Sequence, residues 1–121
     1  MNPINHKYTI QYLNYIFAKT KNSKLTFENS KEMKEAFNYL SSLFNLSQTQ
    51  CALFSIVFTF TVDEDLERVR TLRILSFIDF ELDSYFAIKE DMELLIKKGF
   101  IKQKKEERTD NLYNSSFTGI S

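Results

Sequence analysis

The stretch Met92-Glu93-Leu94-Leu95-Ile96-Lys97-Lys98-Gly99-Phe100-Ile101 decides the fold. Met92 and Leu95, three positions apart, are typical of a helix that buries one side. Two lysines and a glycine follow, and a glycine just past a helix adopts the left-handed conformation that ends it. The next two residues are apolar, so we expect them to lay a strand against the helix. The stretch therefore predicts a helix, a turn at Gly99 and a strand.

Residues on both sides extend this prediction. The helix should run from Ser84 to Lys98, with Asp83 or Ser84 as its N-cap, and its buried stripe should consist of Tyr85, Ile88, Met92, Leu95 and Ile96. Two strands should follow, over residues 100–105 and 112–118, with the polar residues 107–111 as their tip. We therefore expect a helix followed by a β-hairpin.

A more hydrophobic helix is predicted upstream. Ser47 and Gln50 have the spacing of a capping box, in which each side chain bonds to the backbone of the other residue. The segment from Cys51 to Phe60 is apolar almost all round, which indicates a helix buried at the centre of the fold. A strand over residues 56–62 is the alternative, because β-formers are frequent there. The rest of this region should form an acidic connector (63–67), an extended piece (70–72) and a short helix (73–80).

Two further helices are predicted near the N-terminus. The first runs from Pro3 to Lys19, because proline suits a first helical turn and tyrosines recur there at helical spacing. Those tyrosines favour packing on a core or partner over stacking on bases. The second runs from Ser30 to Phe44, where apolar residues follow the helical period, and Asn45 is suited to end it.

The order of these elements resembles the winged helix-turn-helix. In that superfamily a buried helix, a short helix and a recognition helix precede a β-hairpin wing, and many recognition helices end as residues 92–101 do. The resemblance implies a mostly α (α+β) fold with a winged helix-turn-helix domain over residues 46–121. Residues 1–45 would form an N-terminal helical extension that packs on this core, and the C-terminal β-hairpin would be the wing.

Residues 46–58 carry a second resemblance. Here a leucine and a serine are followed by a few polar residues and then by an apolar helix. This pattern is similar to the first helix of the winged-helix domain that precedes the ATPase module in a group of bacterial AAA-type ATPases. The likeness covers about residues 31–105 and implies the N-terminal domain of such an ATPase, or a stand-alone relative. The chain has only two glycines, Gly99 and Gly119, so these 121 residues contain no GxxxxGK phosphate loop.

The predicted recognition helix has a charge pattern unsuited to reading DNA bases. Base readout favours Arg, Lys, Asn or Gln near the helix start, where this helix has aromatic and acidic residues. Phe86, Glu90 and Leu94 are therefore candidates for docking on protein, either a separate partner or a C-terminal ATPase module. The alternative is that another helix of the same domain covers them. At 100° per residue the outward face consists of Phe86, Ala87, Glu90, Asp91, Leu94, Lys97 and Lys98.

A basic cluster near the predicted hairpin favours a different function. A wing can grip the phosphate backbone without reading bases, so the alternative function is a DNA-binding transcriptional regulator, with helix 3–19 as its dimer element. A solvated hairpin edge, where lysines block edge-to-edge pairing, is the other interpretation of this cluster. The possible phosphate contacts are Lys97, Lys98, Lys102, Lys104, Lys105 and Arg108.

The composition argues against several other classes. The 121 residues hold 16 basic and 16 acidic groups, whereas dedicated nucleic-acid binders are usually basic. One cysteine, Cys51, forms no internal disulfide, and one histidine, His6, supports neither a catalytic triad nor a zinc site. Residues 63–67 alternate acidic groups as in a calcium loop, but Arg68 stands where that loop needs glycine. We therefore expect a non-enzymatic protein without cofactor or metal.

The start of the chain and its hydropathy predict the cellular setting. Residues 1–7 do not form a basic segment followed by an apolar run, so no secretory signal is predicted. The longest apolar-rich stretch, residues 51–60, has about half the length of a membrane span. We expect a cytoplasmic protein that uses no membrane partner, and its oligomeric state stays open.

Overall fold

The computed structural model describes residues 6–63, 69–104 and 116–119, and this part of the chain is mostly helical, as predicted. In chain order its elements are α1 (His6–Thr20), α2 (Lys31–Phe44), α3 (Gln48–Asp63), β1 (Val69–Arg70), α4 (Thr71–Phe77), a 3-10 helix (Leu82–Ala87), α5 (Lys89–Lys97), β2 (Ile101–Lys104) and β3 (Ser116–Gly119).

Helix α2 begins one residue after the predicted Ser30 and ends at Phe44 as predicted. The Ser30 hydroxyl accepts a hydrogen bond from the backbone N–H of Met33 at 3.2 Å, which satisfies one of the free donors of the first turn. At the other end Asn45 takes the left-handed conformation, with φ of 56°. The first helix, α1, extends one residue beyond the predicted Lys19.

Helix α3 lies at the centre of the fold. Its capping box is present: the Ser47 N–H donates to Gln50 Oε1 at 3.0 Å, and the Gln50 N–H donates to Ser47 Oγ at 3.2 Å. The helix contacts α1, α2, α4, α5, β1 and β3, so it is enclosed on several sides. The strand alternative for residues 56–62 is wrong, because burial on these surrounding elements overrides the local β-propensity.

One hydrophobic core joins the N-terminal helices to the rest of the chain. Leu13 and Ile16 of α1 and Leu40 of α2 belong to the same cluster of buried side chains as Leu53 and Ile56 of α3. Helices α1 and α2, within residues 6–44, thus pack on the core formed by later residues. The boundary between residues 45 and 46 stays a prediction.

Three short strands form an antiparallel sheet in the order β1-β3-β2. Val69 of β1 and Gln103 of β2 both face Phe117 of β3, whose side chain is buried. The strands predicted over 100–105 and 112–118 overlap β2 and β3. Of the extended piece predicted at 70–72 only Arg70 lies in a strand, β1, because residues 71 and 72 begin α4. The predicted hairpin tip, residues 107–111, lies outside the described residues.

Gly99 ends α5 as predicted. It has a φ of 86°, and its N–H donates to the Ile96 carbonyl at 3.1 Å while the Phe100 N–H donates to the Leu95 carbonyl at 2.9 Å. This pair of bonds is a Schellman motif. It turns Phe100 back into the core, where its ring packs edge-on against Phe44 at 5.2 Å between centroids.

Helix α4 ends in the same motif without a glycine. The Phe80 N–H donates to the Leu75 carbonyl at 2.8 Å and the Asp79 N–H to the Ser76 carbonyl at 3.1 Å. Asp79 has a φ of 63° and occupies the left-handed position. The helix therefore covers Thr71–Phe77, and the predicted span of 73–80 is wrong at both ends.

Candidate docking surface

The predicted recognition helix is divided into two pieces. Its first turns form the 3-10 helix Leu82–Ala87, and regular α-helix begins only at Lys89. The prediction of one continuous helix from Ser84 is therefore wrong. Asp83 and Ser84 lie inside the 3-10 segment, and α5 starts after Ile88 without a side-chain cap, so the predicted cap is wrong as well.

Burial of Tyr85 and Ile88 explains the 3-10 geometry. The Ile88 N–H donates to the Tyr85 carbonyl at 2.9 Å, and both side chains are buried. With three residues per turn, residues three apart share one side of a 3-10 helix. The two residues between them, Phe86 and Ala87, are consequently exposed.

Phe86 is the most exposed large hydrophobic side chain in the described part of the chain. Its exposed fraction is 66%. The ammonium of Lys89 lies 6.0 Å from the centroid of its ring. An exposed aromatic ring with a cation beside it is suited to anchor a protein contact, because such rings bring large apolar area at low entropic cost.

Carboxylates occupy the first turn of α5. Glu90 is exposed, and Asp91 is half-buried and accepts a hydrogen bond from Gln50 Nε2 at 3.0 Å. Negative charge at a helix N-terminus interacts favourably with the helix dipole, so both residues also support the helix start. A phosphate approaching this turn would meet like charge.

Leu94 is less exposed than predicted. It is half-buried, whereas the 100° projection set it on one exposed strip with Phe86. That projection assumed a continuous α-helix, and the 3-10 segment changes the angular relation between residues before and after Ile88. The docking candidates that the structure leaves exposed are Phe86 and Glu90.

The predicted basic cluster is only partly described. Lys97, Lys98 and Lys102 are exposed around the end of α5 and the start of β2. The Lys98 ammonium donates to the Asn45 carbonyl at 2.7 Å, so it also satisfies the C-terminal end of α2. Lys104 lies in β2, nothing is described of its side chain, and Lys105 and Arg108 lie outside the described residues.

An open cleft of about 370 Å³ on another part of the surface was not predicted from the sequence. Lys21, in the turn after α1, and Arg73, in α4, line it together with four further residues: Asn22, Phe60, Ser76 and Phe77. These residues come from three separate segments of the chain, and none belongs to a motif. Only the packing of α1 against α3 and of α4 against α3 brings them together.

The buried titratable side chains have ordinary structural surroundings. Burial raises the pKa of the Cys51 thiol, which lies 3.8 Å from the Ser41 hydroxyl. Burial also raises the pKa of Tyr85, and the carboxylate of Glu93 adds to that effect. A protonated, enclosed thiol is a weak nucleophile, in agreement with the interpretation of Cys51 as a core residue.

The described residues contain no group of three or more His, Cys, Asp or Glu side chains arranged to hold a metal ion. The side chains of the calcium-like segment 63–67 are outside that description. Among the described helices none is long and apolar enough by itself to cross a membrane. Helices α2 and α3 meet that criterion only as a pair, bent by 86° at their junction.

Comparisons with known proteins give no relative. No family model matches the chain, and no curated protein or solved structure matches it.

Proposed function

We propose that this chain is a non-enzymatic interaction module of winged-helix type that docks on protein, and that it is the N-terminal domain of a larger AAA-type ATPase. In this proposal Phe86 anchors the contact, and Glu90 sets its charge preference. The module works in the cytoplasm, where a buried, unpaired thiol such as Cys51 stays reduced.

The element order supports the winged-helix part of the proposal. Helices α3, α4 and α5 follow one another in the order that the resemblance implies, and β1 separates the first two. Strand β3 pairs with both β1 and β2 and contacts α3, which supports the assignment of these strands as a wing. Residues 6–44 add two helices to this arrangement.

The exposure of Phe86 is the observation that carries the docking part. An isolated exposed leucine or valine is ordinary on a protein surface. A phenylalanine that is two-thirds exposed next to a carboxylate turn is a better anchor for a protein partner than for DNA. Glu90 stands in the region of the helix where a DNA-reading protein presents amide or basic groups to bases.

The first experiment determines the reading frame beyond Ser121 and searches its translation for a GxxxxGK loop. The module that carries the loop is then produced separately and titrated calorimetrically with the 121-residue chain. Phe86→Ser should weaken this association about 10-fold to 100-fold, as expected for loss of an aromatic anchor. The matched control is Ile10→Ser on α1, which removes another exposed apolar side chain (45% exposed) and should leave the affinity unchanged.

Two results contradict this proposal. A reading frame that ends at Ser121 contradicts the proposal that the chain belongs to a larger ATPase. Equal affinities for the Phe86→Ser variant and the unchanged chain remove the assignment of Phe86 as anchor. Circular dichroism of each variant verifies that the fold is retained, which is expected because both substituted side chains are on the surface.

The alternative, a DNA-binding regulator, is favoured by the exposed lysines at the end of α5 and in β2. It predicts tight binding of duplex DNA with a steep salt dependence, since each phosphate contact releases a counterion. Fluorescence anisotropy with a labelled duplex at low and near-physiological salt distinguishes the two functions. Strong binding that is lost in a Lys97→Glu, Lys102→Glu variant would favour the regulator and contradict protein docking as the primary role.

A further inference from the structure

The cleft missed in the sequence lies where the N-terminal helices meet the C-terminal part of the chain. Lys21 and Asn22 belong to the turn after α1, Phe60 to α3, and Arg73, Ser76 and Phe77 to α4. Its volume of about 370 Å³ is in the range of small-molecule sites. Clefts at such junctions are frequent places for ligands, because separate elements contribute different chemical groups.

Aromatic rings form one side of this cleft. Phe60 and Phe77 pack edge to face with 5.3 Å between their centroids, and Phe17 of α1 stacks on Phe77 at 4.6 Å. Phe60 is almost completely buried and Phe77 is half-buried. The cleft therefore has an apolar wall held by packing among three elements.

Arg73 lies against this wall. Its guanidinium carbon is 4.5 Å from the centroid of Phe60, a distance that permits a cation–π interaction. Stacking restricts the long side chain and keeps a planar group with several N–H donors at the cleft. An arginine held in this way matches the oxygens of a phosphate better than a freely rotating lysine does.

Two of the described residues that line the cleft are cationic. Lys21 adds a second cation from a different element, and none of the described side chains that line the cleft is a carboxylate. Asn22 and Ser76 supply neutral polar groups. Two cations next to an apolar wall fit a ligand that has an oxyanion at one end and a flat or apolar body at the other.

The edge of the cleft is held in a fixed conformation. The Asn22 N–H donates to the Phe77 carbonyl at 2.7 Å, and the Lys24 N–H donates to the Ile78 carbonyl at 2.9 Å. Asn22, Lys24 and Asp79 all have left-handed backbones, with φ of 58°, 55° and 63°. Such conformations cost free energy in residues other than glycine and persist where the surroundings impose them. The cleft is consequently formed before any ligand arrives.

We propose that this cleft binds a small organic phosphate. Arg73 and Lys21 hold the phosphate oxygens, and the body of the ligand packs on Phe77 and the edge of Phe60. This site is separate from the docking surface at Phe86, so the proposal does not depend on the proposed function.

The test is a calorimetric or NMR titration of the full chain at near-physiological salt with adenosine monophosphate, adenosine and inorganic phosphate as probes. The monophosphate should bind at least 10-fold more tightly than either of the others, because only it has both the anion and the flat body. In the NMR version, resonances of residues 21–22 and 73–77 should shift first.

Variants identify the residues responsible. Arg73→Gln and Lys21→Gln should each weaken monophosphate binding at least 10-fold, and Arg73→Lys should restore less than half of the lost affinity because it keeps the charge without the planar group. The matched control, Lys31→Gln, removes an exposed cation from α2 and should bind as the unchanged chain does. Thermal unfolding verifies that each variant is folded.

Three results overturn the proposal. They are the absence of saturable monophosphate binding at millimolar concentration, an equal loss in the Lys31→Gln control, and much tighter, Arg73-dependent binding of a short single-stranded oligonucleotide. The last result would assign the cleft to a nucleic acid instead of a free phosphate. None of these results bears on docking at Phe86, so failure here leaves the proposed function standing.

Discussion

The ends of α4 and α5 have the same backbone geometry but different residues at the deciding position. Each end has the two hydrogen bonds of a Schellman motif, with a left-handed residue just past the helix. That residue is Gly99 after α5 and Asp79 after α4. The position of a helix end is therefore set by what packs around it. A glycine allows that position to be predicted from the sequence, but the end forms without one.

The surroundings of the two ends explain the difference. At α4 the turn after α1 lies alongside, and two of its backbone N–H groups bond to the Phe77 and Ile78 carbonyls. Lys24 also places its ammonium 4.0 Å from the Asp79 carboxylate, although both groups are exposed and such a pair contributes little. At α5 the side chain of Lys98 reaches α2 instead. The α4 end is therefore fixed by neighbouring backbone, which compensates for the conformational cost at Asp79.

Truncating the buried leucine at the end of α4 or of α5 should have the largest effect on the free energy of unfolding. The Leu75 and Leu95 carbonyls accept the hydrogen bonds from the Phe80 and Phe100 N–H groups, and both leucine side chains are fully buried. Leu75→Ala and Leu95→Ala should each lower the free energy of unfolding by about 2–5 kcal/mol, through lost burial and the cavity that remains. Urea unfolding followed by circular dichroism measures both variants.

Leu72→Ala is the control for this pair. Leu72 lies in α4 and is half exposed, so its truncation should change stability by no more than about 0.5 kcal/mol. If Leu75→Ala behaved like this control while Leu95→Ala was strongly destabilising, the two ends would not be equivalent in packing.

Gly99→Ala should give the next largest effect. A Cβ atom added at Gly99 would meet no atom within 4 Å, so any cost comes from the backbone alone. An L-residue in the left-handed region costs about 1–2 kcal/mol, and the lower entropy of the unfolded alanine chain offsets part of this cost. The variant should therefore lose about 1 kcal/mol of stability in thermal or urea unfolding. Gly99→Asn should lose less, because asparagine tolerates this conformation. Equal stability of the alanine variant and the unchanged chain would show that the φ of 86° is not needed.

Asp79→Gly should raise the free energy of unfolding, whereas Gly99→Ala lowers it. Glycine removes the left-handed cost but adds entropy to the unfolded chain, so the two terms partly cancel and leave a gain of about 0.5 kcal/mol. Thermal unfolding of Asp79→Gly and Asp79→Ala measures this balance, and the alanine variant should lose stability. A glycine variant less stable than the unchanged chain would indicate that the aspartate side chain itself supports the α4 end.

Elements with a strong local signal were predicted well from the sequence. Helix ends are marked by a specific hydrogen bond or backbone requirement at the capping box of Ser47 and Gln50, at Asn45 and at Gly99. The division of the predicted recognition helix at Ile88 has no such signal. It arises because Tyr85 and Ile88 are both drawn into the core, which is a tertiary effect.

The candidate site was predictable only in part, for the same reason. Exposure of Phe86 and Glu90 follows from the apolar period of their neighbours, whereas the half-buried position of Leu94 depends on the 3-10 segment before it. The cleft at Lys21 and Arg73 had no signal at all. Its residues share no motif and meet only through the packing of α1, α3 and α4.

A substitution in the 3-10 helix, which lies between the α4 and α5 ends, should have the smallest effect on the free energy of unfolding at neutral pH. Tyr85 is 3% exposed in the 3-10 helix, and burial, together with the Glu93 carboxylate, raises the pKa of its phenol above the ordinary value of about 10. The folded chain thus holds this proton to higher pH than the unfolded chain does. Stability from this group is complete below about pH 10 and decreases as the pH rises from there to the raised pKa.

Tyr85→Phe should therefore flatten the loss of unfolding free energy above about pH 10 while changing stability little at neutral pH. Urea unfolding at a series of alkaline pH values measures the slope. The reference is the slope of the unchanged chain under the same conditions. If Tyr85→Phe kept that slope, the phenol would ionise equally easily in both states. The segment joining the α4 and α5 ends would then be less tightly packed than the ends themselves.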